Sequence, residues 1–536
     1  MHIQFLGGAT TVTGSQFLLT TERATVLIDC GMFQGSPNES VRNRIPFAFD
    51  VGALDAVLLT HAHLDHCGLL PVLVRTGYEG PIHATAGTVE LASLILLDSG
   101  KLHEQFAKRE ARWEARNPDK AEADDRQEAD AYQDALDEAH AGEDGAHVAT
   151  TIEPEGLAPS TIVSWPRDPE AELRAQPAAI DIDLDAPLYT VKDAERALSH
   201  FREIEYQEER EVAPGVWATF VDAGHILGSA IIRLRVKDRD DGEERVIVCS
   251  GDLGRPGTPI LRDPTVLTAA DYILVESTYG GREHEPQHEA IRILAETIRM
   301  VDANKGVLLV PSFAVGRTQE VVWELDRLIE RGEIPLLPLY LDSPMASKAS
   351  DIYRRYPQYY DEETRELLQS GDTPLDYPKQ IVTNGIKDSQ AIERAPRPYM
   401  IVASNGMLTG GRVVGHLRHL IDDPSAVILF VGYQGEGTLG AHLQAGARQV
   451  RLDGQTREVR CQVRSISGFS AHADESELLD WLGRFADGKR PGEPGYPRKV
   501  FLVHGDPEAQ VLLEPRVREL GFATHVPHWH ERVELE

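Results

Sequence analysis

Six consecutive residues, His61-Ala62-His63-Leu64-Asp65-His66, constrain this chain more than any other stretch. Ahead of them runs Ala56-Val57-Leu58-Leu59-Thr60, apolar and partly β-branched, which reads as a buried strand. Behind them Cys67-Gly68-Leu69-Leu70-Pro71 turns toward an expected helix. Three imidazoles and a carboxylate thus share one short loop at the C-terminal end of a strand. Such a loop can aim several ligands into one cavity without bending a helix. Imidazole and carboxylate suit zinc and similar borderline cations. A solvated turn would account for a lone histidine, but not for four ligand-type residues in six positions, so metal binding is expected here.

Composition narrows what the metal can serve. The chain has 536 residues, 41% of them hydrophobic, enough for two or more domains with a large core. No stretch is long and apolar enough to span a bilayer, and Met1-His2-Ile3-Gln4-Phe5-Leu6 reads as a first strand rather than a signal peptide, so a cytoplasmic location is expected. The cysteines are Cys30, Cys67, Cys249 and Cys461, with no CxxC pair, so neither a thiolate zinc site nor a disulfide framework is indicated. The formal charge is −32, from 54 basic and 86 acidic residues. That opposes non-specific nucleic-acid binding, which draws on Lys and Arg.

Residues 1–35 read as strand, glycine loop, two strands and a turn, with Asp29 ending the last strand. Asp29 is a turn former by type, and its place just ahead of the metal loop also suits orienting a ligand histidine. A helix is expected over 86–103. From about 104 to 185 acid becomes dense and then proline frequent (Pro154, Pro159, Pro166, Pro169, Pro177), the pattern of a solvated insertion with a charged helix in its first half. Strands return around 217–220, 230–236, 245–250 and 272–275. From about 281 to 455 strand alternates with helix, as in a parallel α/β unit.

One pattern recurs: an apolar strand ends in a ligand-type residue at Asp29, His61 to His66, His225, Asp252, Glu276 and His504. Zinc takes four ligands, or three and an open position when catalytic. The loop at 61–66 cannot close two such sites alone, which leaves His225, Asp252 and His504 as candidates to complete them. Singly, each has a plainer reading, a buried histidine or a turn aspartate.

The ordered set HxHxDH, His225, Asp252 in Ser250-Gly251-Asp252, and Asp29 resembles the metallo-β-lactamase superfamily. Glu276-Ser277-Thr278-Tyr279-Gly280, Phe469-Ser470-Ala471-His472-Ala473-Asp474 and Val503-His504-Gly505-Asp506 resemble the three further motifs of its β-CASP nuclease branch. Phe313 to Glu320, Asp342 to Ala346, Gly406 to Arg412 and Gly432 to Gly440 also look like that branch. The match covers nearly the whole chain outside 104–185, and the relatives it suggests are bacterial and archaeal proteins akin to the endonuclease subunit of messenger-RNA 3′-end cleavage.

The resemblance implies an α/β fold: a four-layer αβ/βα metallo-β-lactamase sandwich with an inserted β-CASP α/β domain. The domains would be 1–280 (with 104–185 as the acidic insertion), 281–455 for β-CASP, and 456–536 returning to the sandwich. It implies two zinc ions per chain. His61, His63 and His225 would hold one, Asp65, His66 and His504 the other, and Asp252 would bridge them. His472 would be the general acid, with Glu276 orienting and charge-stabilising it. Arg317 and Arg412, set among glycines and small residues, are candidate phosphate contacts, although ordinary salt bridges explain them as well. Ser470 is a further substrate-binding candidate. The implied activity is zinc-dependent hydrolysis of RNA phosphodiesters, endonucleolytic, 5′-to-3′ exonucleolytic or both, with RNA as partner, no membrane, and a homodimer as an open option.

Two positions depart from the branch's usual pattern: Asp506 stands where Glu is usual and Asn405 where Ser is usual. Neither is a ligand in the family pattern, so activity should survive. The alternatives are a DNA nuclease of the same branch, which tends to differ at the motifs of Glu276 and His504, and a catalytically silent RNA-binding scaffold, which should have broken ligand motifs. A small-ester or thioester hydrolase needs no roofing domain.

Overall fold

A computed structural model describes residues 1–35, 37–117, 129–140, 186–239, 242–432, 434, 435, 437–452 and 454–536. Two seven-stranded sheets and one six-stranded sheet organise them.

The first sheet runs in the order Arg532–Glu534, His2–Gly7, Gln16–Thr20, Thr25–Ile28, Ala56–Leu58, Ile82–Ala84 and Phe201–Glu203. The second runs Thr524–His525, Lys499–Val503, Tyr272–Glu276, Glu244–Cys249, Ala230–Lys237, Val216–Asp222 and Glu209–Ala213. Strand side chains alternate faces with period two, and here both faces are apolar. Val26, Ile28, Phe5 and Leu58 turn inward and meet Phe220, Leu234, Leu274 and Phe501 of the other sheet in a single buried core. The intervening Leu27 and Val57 turn outward onto Leu70, Leu73, Leu91 and Ile95 of the covering helices. On the far side Val248, Val275 and Leu502 pack under Leu478, Leu482 and Leu513. The result is helix, sheet, sheet, helix, with both ends of the chain woven in: Arg532–Glu534 pairs with His2–Gln4.

The third sheet lies between these halves in sequence. Its order is Gln380–Val382, Leu339–Asp342, Tyr399–Ala403, Val307–Pro311, Val427–Phe430 and Gln462–Ser465, all parallel. Helices cover both its faces, as parallel sheets require. One core joins Leu308, Val310 and Val402 to Val321 and Leu325 of the helix Arg317–Glu330. The other joins Val307, Leu309 and Ile401 to Val413 and Leu417 of the helix Arg412–Leu420. This sheet runs past the expected limit of 455, because Gln462–Ser465 pairs with Val427–Phe430 before the chain turns back to the sandwich.

The helix expected over 86–103 continues to Glu114, inside the acidic stretch. Its first turns bury Leu91, Ile95 and Leu96, and Ser99 and Gly100 are buried after them. His103 meets Tyr189 and Glu104 accepts the Val191 amide, and beyond these contacts Ala, Glu, Lys and Arg favour the helix by propensity. A second helical stretch, 129–140, packs Ala139 against Phe33 and Trp529 and pairs Glu138 with Arg42. The second of these helices rests on the sandwich. The proline-containing part expected to be irregular lies outside the described residues.

Candidate active site

Five parallel strands of the sandwich deliver their C-terminal ends to one place. Thr25–Ile28 ends in Asp29, Ala56–Leu58 leads to His61, Glu244–Cys249 to Asp252, Tyr272–Glu276 ends in Glu276, and Lys499–Val503 ends at His504. The turn Gly224 to Ser229, between two antiparallel strands of the second sheet, adds His225. Asp29 and His504 both hold left-handed backbone (φ 57° and 48°), which non-glycine residues adopt at a cost. Strain at two strand ends facing one cavity is a mark of a functional site.

The side chains form two groups around Asp252. The ligand atoms of His61, His63, His225 and Asp252 all lie within 4.8 Å of one another, and those of Asp65, His66 and His504 do the same. Asp252 presents one oxygen to each group. Its Oδ2 lies 3.4 Å from Nε2 of His61 and 3.4 Å from Nε2 of His225. Its Oδ1 lies 3.2 Å from Nε2 of His66 and 3.4 Å from Nδ1 of His504. Nδ1 of His63 sits 3.1 Å from Nε2 of both His61 and His225, and Nε2 of His66 sits 3.2 Å from Nε2 of His504. Asp65 reaches within 3.7 Å of His504.

Outer contacts fix the rings. Asp29 accepts from the Thr60 amide at 2.8 Å and lies 2.7 Å from Nδ1 of His66. The Thr60 hydroxyl reaches Asp29 and Nδ1 of His61, at 3.1 Å from the latter. Nδ1 of His225 lies 3.1 Å from the carbonyl of Ala471. With Nδ1–H donated to that carbonyl, the Nε2 lone pair faces the centre, as metal ligation demands.

Electrostatics favour the same use. Burial pushes the pKa of His61 and His225 well below the ordinary value and lowers that of His63, so these rings stay neutral, the state a cation requires. Burial opposes charge on His66 too, but Asp252 and Asp29 outweigh it and raise its pKa. Asp252 is buried, yet the facing histidines hold its carboxyl well below the usual range. Its Oδ1, like Nε2 of His63, is buried without a hydrogen-bond partner. Three neutral histidines, with a further pair of histidines, around a carboxylate with an orphaned oxygen fit a divalent cation and have no economical explanation as packing. The acidic trio Asp326, Glu330 and Asp372 is a contrast, because Arg327 already pairs with all three.

Beside this centre stands His472. Its Nδ1 lies 3.0 Å from Oε2 of fully buried Glu276, and its Nε2 lies 3.9 Å from Oδ2 of Asp252. Burial disfavours its charge, but Glu276 and Asp252 overcome this and raise its pKa to about 9. Glu276 is itself anchored by the Leu253 amide at 2.6 Å. His472 receives further support from Ser470, whose hydroxyl accepts its amide at 3.2 Å. His284 lies 3.1 Å from its carbonyl.

Of the three substrate-contact candidates, Ser470 and Arg317 border one crevice with His225, between sandwich and inserted domain. Arg317 is buried there and paired with Glu320. Arg412 instead joins a cluster in the third sheet, donating to Asp342 at 2.7 Å and to the carbonyl of Asn384 at 3.2 Å. Reasoning from sequence missed Thr60, Glu320, His284 and His416. Thr60 alone carried a signal, by standing directly before His61 at the strand's end.

The fold and this centre define a metal-dependent hydrolase of the four-layer αβ/βα type. Family models match in three places: the metallo-beta-lactamase superfamily over residues 9–154, the Beta-Casp domain over 318–443, and the Zn-dependent metallo-hydrolase RNA specificity domain over 456–527. "Ribonuclease TTHA0252" of Thermus thermophilus is 35% identical over 98% of this chain and 98% of its own. "Transcription termination factor FttA" of Methanosarcina mazei is 29% identical over 96% of this chain and 69% of its own. The protein of that name from Pyrococcus horikoshii is 29% identical over 100% and 71%. The chain belongs to the β-CASP branch of the metallo-β-lactamase superfamily.

Proposed function

We propose that this protein is a two-zinc ribonuclease that hydrolyses RNA phosphodiesters by endonucleolytic cleavage, 5′-to-3′ exonucleolytic cleavage or both. The observation that carries the reading is Asp252, with one oxygen toward each of two ligand groups. The names of the relatives and the RNA specificity model favour RNA over DNA. His61, His63 and His225 would hold one zinc, Asp65, His66 and His504 the other, and Asp252 both. Bound there, the pair would supply a water acidic enough to act near neutrality and would offset the charge of the phosphodiester.

The chain's own groups do the rest. His472 holds a proton at Nε2, on the side facing Asp252, and delivers it to the leaving oxygen. Glu276 fixes Nδ1 of that ring, so the proton stands at the nitrogen that faces the reaction. Asp29 holds His66 as Asp252 reaches it from the other side. Arg317 and Ser470, in the crevice beside His225, are placed to contact the RNA strand, and Arg412 would do so from the inserted domain. The inserted domain spans about 281 to 466 on the sheet pairing, against the 455 read from sequence, with the sandwich on either side. RNA as substrate suits a cytoplasmic enzyme, and two such chains could pair as a homodimer.

Cleavage of a 5′-labelled single-stranded RNA and the matching DNA, with zinc counted per chain, tests this. Wild type should bind two zinc ions and cut RNA in preference. His63→Ala should lose zinc and cleavage together, and His472→Ala should keep its zinc while losing roughly 10²–10⁴-fold in rate. Two bound zinc ions with no cleavage of either polymer would turn the reading to a silent scaffold, and equal cleavage of DNA to the DNA branch.

A further inference from the structure

The neighbouring parallel strands Val307–Pro311 and Tyr399–Ala403 send their chains to opposite faces of the third sheet. The helix after the first packs with Leu308 and Val310. The helix after the second packs with Val307 and Leu309. Two adjacent parallel strands that diverge in this way open a crevice beyond their C-terminal ends, the place where open α/β sheets bind ligands.

Phe313 occupies that crevice. Its residue is 37% exposed, whereas the strand that precedes it is fully buried. The ring lies against Gly406 on the opposite loop: a Cβ added there would stand 3.1 Å from Cδ2 and 3.2 Å from Cε2 of the ring. A side chain there would press on the ring, so the glycine lets the ring and the opposite loop approach closely. The Phe313 carbonyl accepts the Thr318 hydroxyl at 2.7 Å, which ties its loop to the helix behind. The same loop reaches the metal-ligand side of the cleft, since a Cβ on Gly316 would stand 2.8 Å from Cγ2 of Ile226, next to His225. A partly uncovered aromatic ring thus lies against the opposite loop, on a loop that runs to the catalytic centre.

We propose that Phe313 is a stacking platform for one nucleobase of the RNA strand, fixing that nucleotide on the inserted domain while its neighbours enter the centre. The inference rests on the ribonuclease reading. With a net charge of −32 the chain gains little from general attraction to phosphate. Stacking supplies affinity that needs no charge and tolerates any base, because every base has a π-face.

Steady-state kinetics of the zinc-loaded enzyme test it. Phe313→Leu, close in volume but without the π-face, should raise KM for a single-stranded RNA roughly tenfold or more. Its hydrolysis of methyl p-nitrophenyl phosphate, too short to reach the platform, should stay as in wild type. Phe313→Trp should keep the low KM. A walk of single abasic sugars along the RNA gives a second reading on wild type alone, with one position that weakens binding sharply and loses that effect in Phe313→Leu. Equal KM values for Leu and Phe at 313, or an abasic walk without a special position, overturn the platform. Wild type that cuts no RNA overturns the ribonuclease reading instead.

Discussion

Two buried aspartates stand at the ends of parallel strands, one in the sandwich and one in the inserted domain, and their surroundings differ. Asp342 is fully buried and every direction around it is filled by a donor. Arg412 lies at 2.7 Å and Thr383 beside one oxygen, with His416 at 2.6 Å and Ser389 at 2.5 Å on the other. Burial alone would raise its carboxyl, but these hydrogen bonds hold it far below the usual range. Asp252 is as deeply buried, yet its Oδ1 has no hydrogen-bond partner and the nitrogens around it also crowd one another. A closed polar net holds a domain together, whereas an open one of this kind needs a cation to complete it.

The largest expected effects break this contrast directly. Asp252→Ala removes the one residue shared by both ligand groups, so zinc content should fall and RNA cleavage should drop below detection. Asp342→Ala should do the opposite. It leaves Arg412 and His416 facing a buried void, at a cost of roughly 3–5 kcal/mol in stability, while the purified folded protein should bind as much zinc as wild type. Zinc counting and thermal denaturation on the two variants check both arms. Zinc loss in Asp342→Ala, or full zinc in Asp252→Ala, would dissolve the distinction.

A second contrast lies within the inserted domain. Glu324 is as buried as Asp342, at 1% exposure, but neither of its oxygens has a hydrogen-bond partner. Burial, with Glu320 nearby, pushes its carboxyl up to about 8. The folded state therefore keeps this proton after the unfolded chain has lost it near 4.5, and stability falls as pH rises through that window. The loss is on the order of 5 kcal/mol once pH exceeds the folded value. Glu324→Gln should match wild type in Tm near pH 5 and exceed it near pH 8.5. An unchanged difference at the two pH values would show that the carboxyl does not carry the proton.

Individual strands were legible as short β-branched apolar runs such as Thr25-Val26-Leu27-Ile28, which the fold buries on both faces, whereas the layering of the sheets was implied by the family resemblance. Ligand-type residues were legible because each follows such a run. Partners drawn from distant sequence were not. Arg412 reads equally well as a phosphate contact or as one arm of a structural net, and only the fold brings Asp342 to it across 70 positions. Glu320 and His416 sit inside ordinary helical periodicity, where no local feature separates a buried polar partner from a solvated one. The helix Ala86–Glu114 outran its expected end because His103 and Glu104 find partners in Tyr189 and Val191, distant in sequence, and propensity carries the helix on from there.

The smallest effect sharpens the comparison between the two ligand groups. Asp29 touches His66 directly but reaches His61 only through the Thr60 hydroxyl. Asp29→Asn keeps the shape and removes the charge that holds Nδ1–H of His66 toward it. Carboxylates behind ligand histidines typically contribute 10–100-fold in metal affinity. The zinc held with Asp65, His66 and His504 should therefore weaken by roughly that factor, while the zinc held with His61, His63 and His225 changes less. Titration with a zinc chelator reads this as two steps drawn apart, the first ion leaving at lower chelator than in wild type. Equal weakening of both ions would mean that Thr60 transmits the loss across the centre, and that the two groups act as one unit through the strand end as well as through Asp252.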